Sequence, residues 1–461
     1  MAQAYSREDQ RMILIATSVA CMVTPLMSTM MNLSLVGIGN DFGVGSHNLA
    51  YVNTMFLLGS VVCMVPAAKF ASIHGMKKVF IGGLVMMVAC TAAAFFSPSF
   101  NFLILMRFLI GFAASMMTVT GMALLTFVFP ANKRGKVIGL NATFVYIGLS
   151  LGPTIGGVIT DTLGWRYVFA FIFILSVIAL GTVLMFRNEA VPTPEDRMDW
   201  GGSILWGFMI ITLMSGLINI TTPWGPAAAV IGGVLLIITW WYLRNRESPV
   251  LETKMFRNKA FTKACIAAFM NYGASYSITF FLALYLQHIG EISATEAGTL
   301  MLVQPLMQVL LTARMGALSD RLTDKRILPT LGMAITGVGV SMYLFLDTNY
   351  SLPYVVAIMV VTGIGLGIFS APNNSIIMST VPPHLKGEAS GMVAVVRQTG
   401  MMVSMSISMS AIAIIMGSAD NLNPSTYGAF IDVIHTTFAI CLGMCIVGII
   451  CSLVKIKVVQ E

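Results

Sequence analysis

Apolar runs of about 20 residues recur fourteen times along the chain, and a run of that length is what an α-helix needs to cross a bilayer core. Six come first, near 12–36, 49–68, 79–96, 102–129, 137–160 and 167–186. Two follow near 201–220 and 226–243, and six more near 261–286, 297–315, 328–346, 353–378, 389–416 and 430–454. Barrel strands are excluded, because they would be about 10 residues long with alternating polarity. The polar coat of a soluble fold is missing: 10% of the 461 residues are charged, against about 25% in ordinary soluble chains. A soluble enzyme, a nucleic-acid binder and a disordered chain are therefore excluded, and the expected class is an all-α membrane protein.

Basic residues set the orientation. With the N-terminus inside and the spans alternating, all but three of the 26 Lys and Arg fall in inside segments. Arg166 falls outside, and Arg107 and Arg397 fall within spans. This bias predicts a multi-pass protein of the plasma (inner) membrane with both termini cytosolic. The net charge of +7 then reflects topology and calls for no nucleic-acid partner. The loops 187–199 and 244–259 are long, charged and expected on the cytosolic side. The N-terminal segment MAQAYSREDQR lacks the form of a signal peptide. The seven cysteines sit in apolar runs with no CxxC or His partner, so neither a metal nor a redox site is expected.

The loop after span 2, AKFASIHGMKK (68–78), is echoed after span 10 by GALSDRLTDKR (316–326). Such an echo is the mark of a repeated six-helix unit. The expected organisation is an N-terminal half over 1–186, an inserted helix pair with linkers over 187–260, and a C-terminal half over 261–461.

GALSDRLTDKR resembles the signature loop of the major facilitator superfamily. LMRFLIG (105–111) resembles its buried-Arg motif, and GLSLGPTIGG (148–157) matches the antiporter motif GxxxGPxxGG at every fixed position. GWRYVF (164–169), Gln304–Pro305 and VVRQTG (395–400) are similar to the fourteen-helix drug:proton antiporter branch. The resemblance implies a facilitator fold, with two six-helix halves plus two inserted helices. It implies a gate latch at Gly316, Asp320 and Arg321, and a hinge at Gly148, Gly152, Pro153, Gly156 and Gly157. The chain departs from that branch at Met27, where the branch keeps an Asp, at Ala68 and Ser72 in the first signature loop, and at Ile172.

Charge at the bilayer centre costs at least about 2.5 kcal/mol, so a charged residue there is a functional candidate. The resemblance makes Arg107 a proton-relay or substrate-facing group, with a structural Arg bonded to helix-end carbonyls as the alternative. Arg397 lies deep in span 13 beside Gln398, facing a polar cavity or packing between helices. No Asp or Glu falls in the middle of a span. A proton carrier wants a carboxylate whose burial raises its pKa, so the candidates are Glu388, Glu296 and Asp432 at span ends. His435 shares a helix face with Asp432 and titrates near neutrality; an interfacial cap is the plain alternative. Substrate candidates are the neutral polar residues Asn32, Asn53, Tyr146, Asn271, Tyr272, Tyr276, Gln304, Gln308, Asn373 and Asn374, each of which could equally be a helix–helix hydrogen bond.

No GxxxxGK[ST] is present, so no nucleotide cofactor is expected, and no other cofactor is called for. The expectation is a monomeric secondary exporter of an amphipathic small molecule; the resemblance implies protons as the coupling ion, although Met27 stands where the branch keeps its carboxylate. Three alternatives stay open: a facilitator or exporter of a native metabolite or organic anion with little proton coupling, an exporter working with an adaptor protein, and a non-transport membrane protein.

Overall fold

The structure is a computed structural model that describes residues 6–129, 131–185, 197–322, 324–381, 386–417 and 422–453. The side chains of residues 7, 131–136, 138, 142, 320 and 386–388 lie outside the description. Fourteen segments are long and apolar enough to cross a membrane. The helices of the first half are α1 Arg7–Phe42, α2 Ser46–His74, α3 Met76–Phe95, α4 Phe100–Val128, α5 Ala131–Thr162 and α6 Arg166–Leu184. The inserted pair is α7 Trp200–Ile218 and α8 Gly225–Arg244. The second half is α9 Lys259–His288, α10 Ala294–Met301, α11 Val303–Arg321, α12 Ile327–Met342, α13 Leu352–Ser379, α14 Lys386–Ile415 and α15 Tyr427–Leu453. We call the face on which α1 begins and α15 ends the near face, and the opposite one the far face.

The helices run past the apolar stretches because polar caps extend them. The Ser6 hydroxyl accepts from the Asp9 N–H and starts α1 a full turn before its first apolar run. That satisfies an N–H the helix itself leaves open. Gly43, at φ 64°, closes α1 in the left-handed conformation that an L side chain resists. Span 10 differs from expectation in being two helices, α10 and α11, that meet at Leu302. Pro305 explains the joint: it has no N–H to offer the Met301 carbonyl, and its ring clashes with that carbonyl.

Within each half, glycines let backbones touch. A Cβ on Gly111 of α4 would stand 1.9 Å from the Phe56 carbonyl oxygen of α2, and one on Gly59 would stand 2.0 Å from that of Phe108. The last position of the buried-Arg motif is therefore glycine because α2 occupies the space a side chain would need. Gly332, Gly339 and Gly365 seat α12 on α13 in the same way. Such close approach is how apolar helices associate where the hydrophobic effect is absent.

The inserted pair docks over the seam between the halves. The Trp206 indole donates to the Val61 carbonyl of α2 at 3.1 Å, and the Ser410 hydroxyl of α14 donates to the Leu217 carbonyl at 2.8 Å. α8 turns Ile231, Ile237 and Trp241 outward, where acyl chains would cover them.

Candidate functional site

The antiporter motif lies on α5 and presents two stripes. Gly148, Gly152 and Gly156 recur every four residues and face α1 of the same half. Their Cβ atoms would stand 2.7 Å from the Met22 carbonyl, 1.8 Å from the Thr29 hydroxyl and 2.6 Å from the Met30 Cα. Pro153, Gly157 and Asp161 form a second four-residue stripe, turned by one residue, or about 100°. This stripe faces α10 of the other half. A Cβ on Gly157 would stand 2.2 Å from the Ala294 carbonyl oxygen, and one on Gly298 would stand 2.3 Å from that of Pro153. The Thr154 hydroxyl donates to the Gly298 carbonyl at 3.4 Å. The Asp161 carboxylate accepts from the backbone N–H groups of Ala294 at 3.3 Å and Thr295 at 2.6 Å, so it caps α10 from across the seam. Despite Pro153, α5 runs unbroken from Ala131 to Thr162.

α2 and α14 complete the far-face closure. Ser46 donates to the Met416 sulfur, Thr54 to that of Met409, and the Gln398 amide to the Ser60 hydroxyl at 2.9 Å. Among the described residues, these hydrogen bonds from α2 and α5 to the second half run from the middle of the bundle to the far face. Ser28 of α1 and Tyr276 of α9 share one more, at 3.0 Å.

The polar groups at the seam stand in two tiers. Counting 1.5 Å per residue from the near ends of their helices, Arg397, Tyr146, Tyr272, Thr312 and Asn141 lie at about 13–23 Å. Tyr146 is in hydrogen-bonding reach of Thr312, beside Tyr272, and within electrostatic reach of Arg397. Arg397 is half-buried, with Cys21 also in its reach. The upper tier, at about 26–32 Å, holds Tyr276, Ser28 and Arg107. Arg107 is fully buried. Its Nε donates to the Val52 carbonyl at 2.8 Å, and its guanidinium carbon sits 4.8 Å from the centre of the Phe56 ring. Its two terminal nitrogens have no hydrogen-bond partner among the described residues. Tyr276 lies within electrostatic reach across the seam.

The other candidates fall elsewhere. The Asn53 amide donates to the Asn32 carbonyl oxygen at 2.7 Å, joining α2 to α1 within one half, while the Asn53 oxygen is buried without a partner among the described residues. Asn271 turns to Met333 of α12, and Asn373 donates to the Ala264 carbonyl of α9. Both therefore serve packing inside the second half. Gln304 is buried at the α13 contact, and Gln308 and Asn374 are half-buried.

The span-end acids divide. The Glu296 carboxylate accepts from the Ser293 N–H in a capping box that starts α10. His435 bonds the Leu346 carbonyl at 2.9 Å and lies near Asp347, while Asp432 is exposed. The backbones of Glu388 and Asp320 are helical, and their side chains lie outside the description. The expected signature loop is helical as far as Arg321: Gly316, on α11, packs on Ala371 of α13 and Arg321 is exposed. Arg326 there grips Asp324 and donates to the Leu453 carbonyl of α15 at 2.8 Å. That guanidinium holds the Asp324 carboxyl below the usual carboxylate range. Sequence reasoning missed Asp161, Gly298 and Asp324. The four-residue spacing of Pro153, Gly157 and Asp161 was a signal for the first; nothing in the sequence marked their partner, Gly298.

Two six-helix bundles that meet along a seam lined by polar groups make a membrane transporter. The chain belongs to the Major Facilitator Superfamily, whose family model matches residues 16–198, 200–405 and 264–460. It is 26% identical over 444 residues to the riboflavin transporter RibZ of Clostridioides difficile (strain 630), covering 95% of this chain and 96% of the relative. It is 24% identical over 415 residues to the multidrug resistance protein Stp of Mycobacterium tuberculosis (strain CDC 1551 / Oshkosh), covering 88% and 76%. The fold is similar to a crystal structure of a POT family transporter in complex with 5-aminolevulinic acid, with TM-score 0.73, 13% identity and 95% of both chains covered.

Proposed function

We infer that the protein is a secondary exporter of amphipathic organic compounds in the plasma membrane, working by alternating access with both termini cytosolic. The observation that carries this reading is the pair of stripes on α5. One stripe fixes α5 to α1, so that the first half moves as a unit. The other meets α10 through bare backbone and the Asp161 cap, a contact that opens without pulling a side chain from a core. A seam closed at the far face and lined below by Arg397, Tyr146 and Tyr272 fits the state that loads cargo from the cytosol. Aromatic rings beside a cation suit planar amphipathic molecules, and multidrug resistance proteins stand among the relatives.

A second reading, export or facilitation of a specific metabolite or organic anion with weak proton coupling, is favoured by the charges. The spans hold two deep arginines and no central carboxylate, and one relative is named a riboflavin transporter. Counterflow in liposomes with a panel of dyes, flavins and organic acids, with and without a pH gradient, separates the two. Exchange of many unrelated dyes driven by the gradient supports multidrug antiport. Gradient-independent exchange of one compound class supports the second reading. No counterflow of any compound would overturn both.

A further inference from the structure

We propose that Arg107 is an oxyanion-binding residue that holds a carboxylate or phosphate group in the upper tier of the seam. This rests on the reading of the seam as the transport path. Three observations lead to it. The guanidinium is fully buried, and both its terminal nitrogens lack a partner among the described residues, although its Nε is paired with the Val52 carbonyl. The Phe56 ring covers one face of the group but offers no acceptor to the N–H groups at its edge. Among the described residues the titratable group within electrostatic reach of Arg107 is the Tyr276 phenol, and no carboxylate stands beside it to balance the charge.

A buried ion without a counter-ion or hydrogen bonds is strongly disfavoured. A guanidinium presents two parallel N–H donors that match the two oxygens of a carboxylate or phosphate. The free edge of Arg107 is therefore a docking fork for such a group. Its place also gives occupancy a consequence. Tyr276, within electrostatic reach of Arg107, makes the α1–α9 hydrogen bond to Ser28. An anion on the fork bears directly on that link between the halves. The oxyanion could belong to the cargo or be inorganic phosphate; the site chemistry is shared, and the test separates the sources.

The test is equilibrium titration of the purified full-length protein with 1-naphthoate, with its neutral analogue 1-naphthamide, and with inorganic phosphate. Naphthoate is expected to bind about tenfold or more tightly than naphthamide, as for a lost charged hydrogen bond. The preference should vanish in Arg107→Gln, persist in weaker form in Arg107→Lys, and persist in Lys254→Gln, an exposed position away from the seam. Phosphate binding that competes with naphthoate would assign the site to the oxyanion itself. Phosphate without effect would assign it to the carboxylate of the cargo. Equal binding of naphthoate and naphthamide by the wild type overturns the proposal even if Arg107→Gln does not fold. So does a preference that survives Arg107→Gln or is lost in Lys254→Gln. A protein that binds naphthoate through Arg107 yet shows no counterflow would refute the exporter reading and leave the site standing.

Discussion

Asp161, at the end of α5, accepts the backbone N–H of Thr295 at 2.6 Å, so the first half of the protein caps a helix of the second. An N-cap contributes about 0.5–2 kcal/mol. In the proposed alternating-access cycle this one is made only while the far face is closed. It therefore acts on the balance between states rather than on the stability of either half.

Asp161→Ala should raise the population open at the far face by about two- to thirtyfold, the Boltzmann factor of that cap. The check is the reaction of a cysteine at the buried position Ala297 with a membrane-impermeant thiol reagent, in a background without the native cysteines. An unchanged rate would mean that the cap does not set the balance.

The two stripes on α5 should separate in mutants. Gly152→Ala forces a methyl against Thr29 inside one half and should lower thermal stability, since overpacking costs roughly 1–3 kcal/mol. Gly157→Ala forces a methyl against Ala294 across the seam. It should leave stability nearly intact while reducing turnover by disfavouring far-face closure. Melting curves and counterflow on both variants decide it; equal losses of stability would erase the distinction.

Glu296 should behave as a cap and not as a proton carrier. Glu296→Ala is expected to cost about 0.5–2 kcal/mol of stability, in the range of a lost cap, with the response to a pH gradient unchanged. Loss of the gradient response in a folded Glu296→Ala protein would return this carboxylate to the coupling machinery.

Topology has its own check. Cysteine at Asp347 should react with an impermeant reagent in intact cells, and cysteine at Lys254 should not. The reverse pattern would invert the orientation inferred from the basic residues.

The span pattern was legible because hydrocarbon thickness imposes a length that composition reveals directly, and the helices found follow it closely. The joint at Leu302 was hidden because Pro305 interrupts a run without reducing its hydropathy. At the site, spacing placed Gly148, Gly152 and Gly156 on one face of α5, but not which helix they meet. The second stripe escaped notice because its members, Pro153, Gly157 and Asp161, differ in chemistry. What unites them is α10, more than a hundred residues away in sequence. Asp432 and His435 share a face, as their spacing requires, yet His435 turns to a carbonyl at the end of α12's apolar run. A helix face fixes direction; the neighbour decides the partner. Arg107 was visible as a deep charge, but its unpaired edge emerged only once α2 and α4 were packed.

The central claim is that the α5–α10 contact must open for cargo to leave. Cysteines at positions 161 and 295, in a background without the native seven, would bridge that contact under oxidation. Counterflow in liposomes should stop when the bridge forms and return in full on reduction. Counterflow that continues at its reduced-state rate while the bridge is closed would contradict alternating access through this seam.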